Sequence, residues 1–491
     1  MIIKKNSDEI QNFLSDASNY KGSCDEVFFP QNEEELVQLI KQLNQDKKKV
    51  TVSGNGTGIT GSRVPEGGAV ISVEKMNKIL ELNKEKMFIR VEPGVILKDM
   101  QDLVESENLF YPVDPTERNC FVGGTVATNA SGSRTFKYGS TRNYVIGLRI
   151  VLPSGDLINI ERGKCFADNL NAELLTGYGN KISFTLPDYK MPDTKNAAGY
   201  FCSGGMDLID LFIGAEGTIG IITEITFQLL DLPKEVLSCV VFFNTENDVL
   251  NFIDEARNLS KRKSEDIISA RSLEYFDNNA LNFLRKDYPS IPPDISGAVW
   301  FEQEILDNDE EVIVRWTELI NKHNADENIA WIAIDKKEQE KFKDFRHAAS
   351  WKVNEYIASK GLKKVGTDVA VPVSNFRPFL QWMKKTVEDA KLEYIVYGHF
   401  GDCHPHLNML PRDESEYKKA KEIYSKICEE AVRSDGTVSA EHGIGKLKRE
   451  YLLLMYGEET IKEMARLKLV FDPNKILNIG NIFDEKYLAS K

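Results

Sequence analysis

Four of the six histidines in this chain fall in two short segments, Tyr397-Gly-His399-Phe-Gly-Asp402-Cys-His404-Pro-His406-Leu-Asn408 and Ser439-Ala-Glu441-His442-Gly-Ile-Gly445. Imidazoles beside a carboxylate suit a borderline divalent cation, and one more imidazole nearby can serve as a general base near neutral pH. The apolar run from Leu392 reads as a buried strand, along which side chains of equal parity share a face. His404, His406 and Asn408 share a parity that His399 does not. For His399 and His406 to meet at one ion the chain must bend between them, and Gly401, Asp402 and Pro405 supply the turn chemistry. Glu441 then arrives from a separate glycine-rich loop, after a helix expected over residues 414–433. Two histidines and one glutamate leave coordination positions open, as a catalytic rather than a structural ion requires. The plain alternative is a histidine-rich strand end with solvated rings. The second segment, Glu-His flanked by glycines, weighs against it.

These groups need a scaffold. At 491 residues the chain is too long for one ordinary core, so two or three domains are expected. A hydrophobic fraction of 42% with 28% charged residues is that of an ordinary soluble protein. The net charge of −14 argues against a nucleic-acid partner, since a phosphate-binding face needs clustered Lys and Arg. No run approaches the roughly 18 apolar residues of a spanning helix, and the opening MIIKKNSDEI lacks a signal-peptide core. The seven cysteines form no CxxC pair, so neither an iron–sulfur cluster nor a zinc ribbon is encoded. A reducing cytoplasm is the expected setting.

The N-terminal half alternates helix and strand signals. Residues 30–49 carry Leu36, Ile40 and Leu43 at helical spacing behind an acidic start, and a strand is expected over 49–53. The loop Gly54-Asn55-Gly56-Thr57-Gly58-Ile59-Thr60-Gly61-Ser62 follows. Such a density of glycine means that the backbone approaches something closely or repeatedly adopts positive φ, and N–H groups with interleaved hydroxyls suit phosphate. The loop lacks the Gly-Lys-Ser/Thr ending of a nucleoside-triphosphate loop and the spacing of a Rossmann fingerprint. Two further segments, from Val122 to Arg134 and from Gly214 to Thr223, repeat the theme. Three of them beside β-branched runs look like the walls of a groove for an extended, phosphate-bearing cofactor.

The segments SGNGTGITGS, PTERNCFVGGTVATNASGSRTFKYGSTRNYVIGLRIVLPSGD, GAEGTIGIITE, GHFGDCHPHLN, SAEHGIGKLKREYL and FDPNKILNIGNIF together resemble the FAD-linked D-2-hydroxyacid dehydrogenases. That group includes D-lactate dehydrogenases, the glycolate oxidase flavoprotein subunit and D-2-hydroxyglutarate dehydrogenases, within the vanillyl-alcohol oxidase flavoprotein superfamily. The resemblance runs in order from about residue 25 to 483. It implies an α+β protein: an FAD-binding domain of two subdomains over 1–232, a substrate and metal-binding cap with a large antiparallel sheet over 233–470, and a segment 471–491 returning to the flavin.

The resemblance also implies roles. Gly54, Asn55, Gly56, Thr57, Gly58, Ile59, Thr60, Gly61 and Ser62 would wrap the FAD pyrophosphate. Pro115 and Thr116 would lie along the cofactor, and Gly123, Gly124, Thr125, Asn129, Gly132 and Ser133 would line its flavin and ribityl parts. Glu216, Ile222 and Asn478 would complete the cofactor site. His399, His406 and Glu441 match metal ligands, with Zn²⁺ expected and Mn²⁺ as the alternative, and His442 matches the base. Arg346 matches an arginine that clamps the substrate carboxylate, while Asn408 and His404 are expected to touch substrate. The FAD is expected to be non-covalent, because the first histidine of the chain is His323, beyond the three glycine-rich segments.

Two departures stand out: Cys403-His404 replaces Gly-Asn, adding a third imidazole beside the metal that is open to ligating it, tuning specificity or facing solvent, and Gly366-Thr367 stands where relatives carry a lysine before Asp368, with Lys363 and Lys364 just upstream, which leaves the substrate's length open. In the middle of the chain, strands over 237–243, 297–302 and 328–334 with helices over 246–260 and 309–322 suggest a split β-α-β cap. The expected reaction is oxidation of a D-2-hydroxy acid by hydride transfer to flavin. The electron acceptor is left open among a quinone, a cytochrome, an electron-transfer flavoprotein and O₂. Peripheral contact with the inner membrane and a homodimer are both compatible with the sequence. Three rival readings fit part of the pattern: alkyl-glycerone-phosphate synthase chemistry on the same fold, a flavin-free metal hydrolase, and a catalytically idle partner in an electron-transfer complex.

Overall fold

In a computed structural model, which describes residues 1–262, 267–305 and 309–489, three sheets organise the chain. The first is four-stranded, in the order Ile2–Lys4, Glu26–Phe29, Ala69–Ser72 and Val50–Ser53. Its last three strands are mutually parallel and nearly all buried, with only Val52 half-buried, as strands covered on both faces should be. The helix Glu33–Gln45 is shorter than the sequence suggests. It starts where the Asn32 side chain accepts from Glu35 N, and it buries Leu36, Leu39, Ile40 and Leu43 against Val50, Ile71, Val151 and Ile221.

The second sheet is antiparallel, in the order Ile79–Asn83, Phe88–Val91, Ile221–Gln228, Val145–Val151 and Leu157–Glu161. Ile221–Gln228 alternates buried and half-buried residues, as a strand covered mainly on one face should. The chain's tail returns to the first sheet, where Val50 N donates to Ile476 O and Asn478 N to Val50 O.

The third sheet is the large antiparallel one. Its order is Trp331–Ala333, Glu235–Phe243, Gly297–Ile305, Ala270–Asp277, Tyr394–His399, His404–Met409 and Val365–Gly366. Successive residues of Glu235–Phe243 feed opposite cores: Val240 and Phe242 join Trp300, Phe345 and Tyr397, while Val241 and Phe243 join Phe252, Phe301 and Trp316. The helices Glu246–Lys261 and Asp309–Lys322 appear where the apolar spacing puts them. The expected strand over 328–334 is only Trp331–Ala333, because a 3₁₀ turn, Glu327–Ile329, takes up its start.

Ala270–Asp277 is a strand that apolar periodicity does not announce. It carries Arg271, Ser272, Glu274 and Asp277, and every one of its residues is buried. Its place is between Gly297–Ile305 and Tyr394–His399, with Glu274 directly opposite His399. No helix among the described residues is long and apolar enough to cross a membrane, and all seven cysteines are free thiols.

Candidate active site

One cavity of about 1230 Å³ joins the three glycine-rich segments to the histidine hairpin. Of the residues expected at a cofactor, Gly54, Asn55, Gly56, Thr57, Gly58, Ile59, Thr60 and Ser62 line it, as do Pro115, Thr116, Gly123, Gly124, Thr125, Gly132, Glu216, Ile222 and Asn478. Gly61, Asn129 and Ser133 do not. Asn129 instead accepts Arg142 N on its side chain and holds the turn behind the wall.

Several of the wall residues also tie the loops together. The buried Glu216 carboxylate accepts from Ser62 Oγ (2.7 Å), Ile444 N (2.7 Å) and Gly445 N (2.8 Å), bonding three separate segments. Asn478 accepts Val52 N and donates to Glu216 O.

Whether this arm fits a cofactor can be tested on its glycines. At Gly54, Gly58 and Gly124 φ lies outside the left-handed region and a Cβ would meet nothing within 4 Å. Gly124 sits in the helix Val122–Ala127, where glycine costs about 1 kcal/mol relative to alanine. The fold gives no steric reason for these glycines, so the requirement comes from what fills the cavity. At Gly132, by contrast, a Cβ would collide with the carbonyl oxygen of Asp114, so that glycine belongs to the fold.

At the other end, Tyr394–His399 and His404–Met409 form a hairpin closed by the 3₁₀ turn Phe400–Asp402, with Cys403 in the left-handed region at φ 54°. The expected bend is therefore a hairpin, in which His399 faces His404 and Tyr397 faces His406. Ligating atoms of His399, His404, His406 and Glu441 all lie within 4.8 Å of one another, and those of Asp368, Glu441 and His442 form an adjoining group. Glu441 is the hub. Its Oε2 lies 3.4 Å from His399 Nε2, and its Oε1 lies 3.4 Å from His406 Nε2 and 3.5 Å from His442 Nε2.

The outward nitrogens are engaged. His406 Nδ1 donates to the Thr367 carbonyl (3.1 Å), and His399 Nδ1 donates to Glu274 Oε1 (2.7 Å). A carbonyl can only accept, so Nδ1 of His406 carries the proton and Nε2 offers a lone pair toward Glu441. This donor set fits a divalent ion: imidazole Nε2 atoms and a carboxylate converge, with acceptors fixing the rings from behind. Burial pushes the His406 pKa down despite Glu441, which favours the neutral ring that a cation needs. Burial alone would raise Glu441 and Asp368. Lys195 and His399 outweigh it at Glu441, and His442 and Lys448 at Asp368, so both carboxyls are held well below the usual range.

His442 lines the cavity, and its Nδ1 lies 3.1 Å from Asp368 Oδ2. Asp368 also accepts from Lys448 Nζ (2.6 Å), Ser439 Oγ (2.8 Å) and His442 N (3.1 Å), which fixes the loop that carries Glu441 and His442. Arg346 is not on a helix surface, although its spacing in Lys336–Ser359 suggests one. It is 4% exposed and donates Nε to Glu274 Oε2 (3.0 Å) and Nη1 to Thr116 Oγ1 (3.1 Å). Asn408 lines the cavity and its Oδ1 has no hydrogen-bond partner. His404 is expected at substrate, but the structure sets it behind the wall: it is 0% exposed and takes no part in the lining. Strand register puts it opposite His399 and on the face it shares with His399 and His406, more deeply buried than either.

Sequence reasoning passed over four charged residues of this site. They are Glu274, Asp368, Lys448 and Lys195, whose Nζ lies 2.8 Å from Glu441 Oε2. Each stands alone in its segment. Only the tight sequence coupling of Lys448 to the Glu441 loop offered a signal.

A glycine-walled cavity ending in an imidazole–carboxylate cluster suits an extended cofactor beside an acid–base site, and the protein's relatives give the class, an FAD-linked oxidoreductase. Residues 232–482 match the family described as FAD linked oxidases, C-terminal domain, and residues 24–161 match the FAD binding domain. The chain belongs to the FAD-linked oxidase family. It is 31% identical over 469 residues to a D-lactate dehydrogenase of Anaerostipes hadrus, which covers 91% of this chain and 87% of that protein. It is 30% identical to glycolate oxidase subunit GlcD of Bacillus subtilis (strain 168), covering 94% and 90%. A D-2-hydroxyglutarate dehydrogenase of Stutzerimonas stutzeri (strain A1501) is 27% identical, covering 93% and 90%. Among solved structures, alkyldihydroxyacetonephosphate synthase shares the fold, with a TM-score of 0.67 at 16% identity over 97% of this chain and 82% of that one.

Proposed function

We propose that this chain oxidises a D-2-hydroxy acid to the 2-oxo acid, with FAD in the glycine-walled arm and a divalent ion held by His399, His406 and Glu441. The observation that carries this reading is the single cavity in which Gly54, Gly124 and Thr116 share a wall with Arg346, His406, Glu441 and His442. Bound there, FAD supplies a two-electron acceptor for the carbinol hydrogen, and the ion supplies a positive charge that acidifies the substrate hydroxyl.

The remaining work falls to side chains. Arg346 has Nε and Nη1 engaged by Glu274 and Thr116, and its Nη2 lies 3.3 Å from His399 Nε2, so the guanidinium is fixed in orientation beside the cluster and its remaining N–H groups can meet the substrate carboxylate. His442 Nε2 accepts the hydroxyl proton, and Asp368 beside Nδ1 holds the ring in the tautomer that leaves Nε2 free. The hydroxyl proton thus passes to His442, the carbinol C–H electron pair leaves as hydride, and a C=O bond forms. The unpaired Oδ1 of Asn408 is a ready acceptor for a polar group of the acid.

The same cavity is lined by Lys363, Lys364 and Lys421 as well as Asn408, which favours an acid with a second anionic group over D-lactate or glycolate. The test is anaerobic bleaching of the purified yellow protein by D-lactate, glycolate, D-2-hydroxyglutarate and D-malate in turn. The expected result is fast bleaching by one of the two diacids. A yellow spectrum that no 2-hydroxy acid bleaches would overturn the reading.

A further inference from the structure

The geometry points to His404 as a fourth protein ligand, making this a three-histidine, one-glutamate site for a six-coordinate ion of the Mn²⁺ type rather than a four-coordinate zinc site. Three independent features converge on this side chain. Register puts His404 directly opposite His399 and two residues before His406 on the same strand. The three rings form a compact triangle, with centroids 5.3 Å apart for His399–His404 and His399–His406 and 4.3 Å apart for His404–His406.

The second feature is an unmet bonding demand. His404 is wholly buried, and its Nδ1 has no hydrogen-bond partner. Asp368 Oδ1 lies 3.1 Å from Nε2, where a carboxylate holds the Nε2 proton and leaves the lone pair on Nδ1. A lone pair idle in a closed interior calls for something that binds it. Substrate cannot be that partner, because His404 lies off the cavity wall.

The third feature is the ligand count, and this step rests on the proposed function. Three histidines and Glu441 fill four positions, and the carboxylate and hydroxyl oxygens of a 2-hydroxy acid fill the other two. A four-coordinate ion with the same protein ligands would have no room for substrate.

The experiment uses the full flavin-loaded chain, stripped with chelator and refilled with Co²⁺ as a spectroscopic probe or with Mn²⁺ for affinity. The Co²⁺ protein should show three hyperfine-shifted, exchangeable imidazole N–H resonances and the weak visible bands of six-coordination. His404→Asn should lose one of those resonances and bind Mn²⁺ at least tenfold more weakly, whereas His442→Ala should keep all three. The wild-type count needs no variant, so the inference remains testable if His404→Asn does not fold. Two imidazole resonances with intense tetrahedral bands, or an unchanged Mn²⁺ affinity in His404→Asn, would overturn it. Three resonances in a protein that no 2-hydroxy acid bleaches would leave the His404 ligand standing and remove the proposed function instead.

Discussion

The two ends of the cavity are built from different materials. The cofactor arm is backbone: glycine loops at Gly54–Ser62, Gly123–Gly132 and Gly214–Gly220, held in mutual position by the Glu216 carboxylate and the Asn478 amide. The reacting end is charge: Glu274 and Asp368, both buried, and Glu441, whose side chain is 12% exposed, each paired with several cations or N–H groups. The contrast follows from the ligands. An extended phosphate-bearing molecule is held by many weak, shape-dependent contacts, for which the absence of side chains is the useful property. A proton and a cation are governed by a few groups whose protonation must be fixed, and in a closed interior only ionic neighbours can fix it.

If the contrast is right, the two ends fail separately. The largest expected effect is Glu441→Ala, which removes the atoms toward which His399, His406 and His442 all point. It should empty the metal site and reduce turnover below detection while the yellow spectrum persists, as elemental analysis beside an absorption scan would show. Loss of the flavin with the metal would erase the distinction between the ends. Next in size is His442→Ala, expected to retain both FAD and metal and to slow flavin reduction by roughly 10² to 10⁴-fold, the contribution of a general base. Anaerobic stopped-flow reads this directly, and a variant that loses its metal instead would make His442 a ligand.

The same contrast explains what the sequence exposes. Glycine clusters and closely spaced histidines are rare enough to mark both ends, and the resemblance supplied Arg346. Glu274 stayed hidden because its strand, Ala270–Asp277, has polar residues buried on both faces, so it shows neither alternation nor an apolar run. Lys195 and Asp368 stayed hidden for a different reason. Their meaning lies in a partner at the far end of the chain, Glu441 for one and Lys448 and His442 for the other, and pairing at that separation is set by sheet register and loop packing rather than by local pattern. His404 was visible, since parity placed it on the face of His406, but its depth behind the cavity wall is set by the packing of the hairpin and not by local pattern.

A third test works within the cofactor arm by comparing two glycines. Gly124→Ala adds a methyl where the protein leaves space, in a short helix, and should leave the apoprotein as stable as before or up to about 1 kcal/mol more so. It should weaken FAD binding by tenfold or more, measured by flavin fluorescence on titration. Gly132→Ala drives a methyl into the Asp114 carbonyl and should cost on the order of 3 kcal/mol of fold stability with or without flavin. Equal destabilisation by both would mean that the fold, and not an occupant, demands Gly124.

The smallest effect concerns a carboxylate that the reacting end does not use. Asp277 ends the strand that carries Glu274, is buried, and accepts Ala280 N (2.8 Å) and Val396 N (3.1 Å) on the same oxygen, Oδ1. Burial pushes its pKa up to about 6, and Lys384 and the two N–H groups offset that only in part. The folded state therefore holds the Asp277 proton more tightly than the unfolded chain, whose value is near 3.8. This contribution to stability is complete below about pH 4 and is lost as pH rises through about 6. Asn cannot ionise and keeps the Oδ1 acceptor, so Asp277→Asn removes the loss without removing the cap. The difference in unfolding free energy, variant minus wild type, should rise by about 1–3 kcal/mol between pH 4 and 7. Denaturant midpoints taken across that range decide it, and taking the difference cancels the titration of every other group. Glu274, three residues earlier on the opposite face of the same strand and ionised by His399 and Arg346, has the opposite sign: it stabilises above its unfolded value and weakens only in acid. A flat difference curve for Asp277→Asn would mean that this carboxylate, too, has cations enough to hold it charged, and that close pairing is a property of the whole sheet rather than of its reacting end.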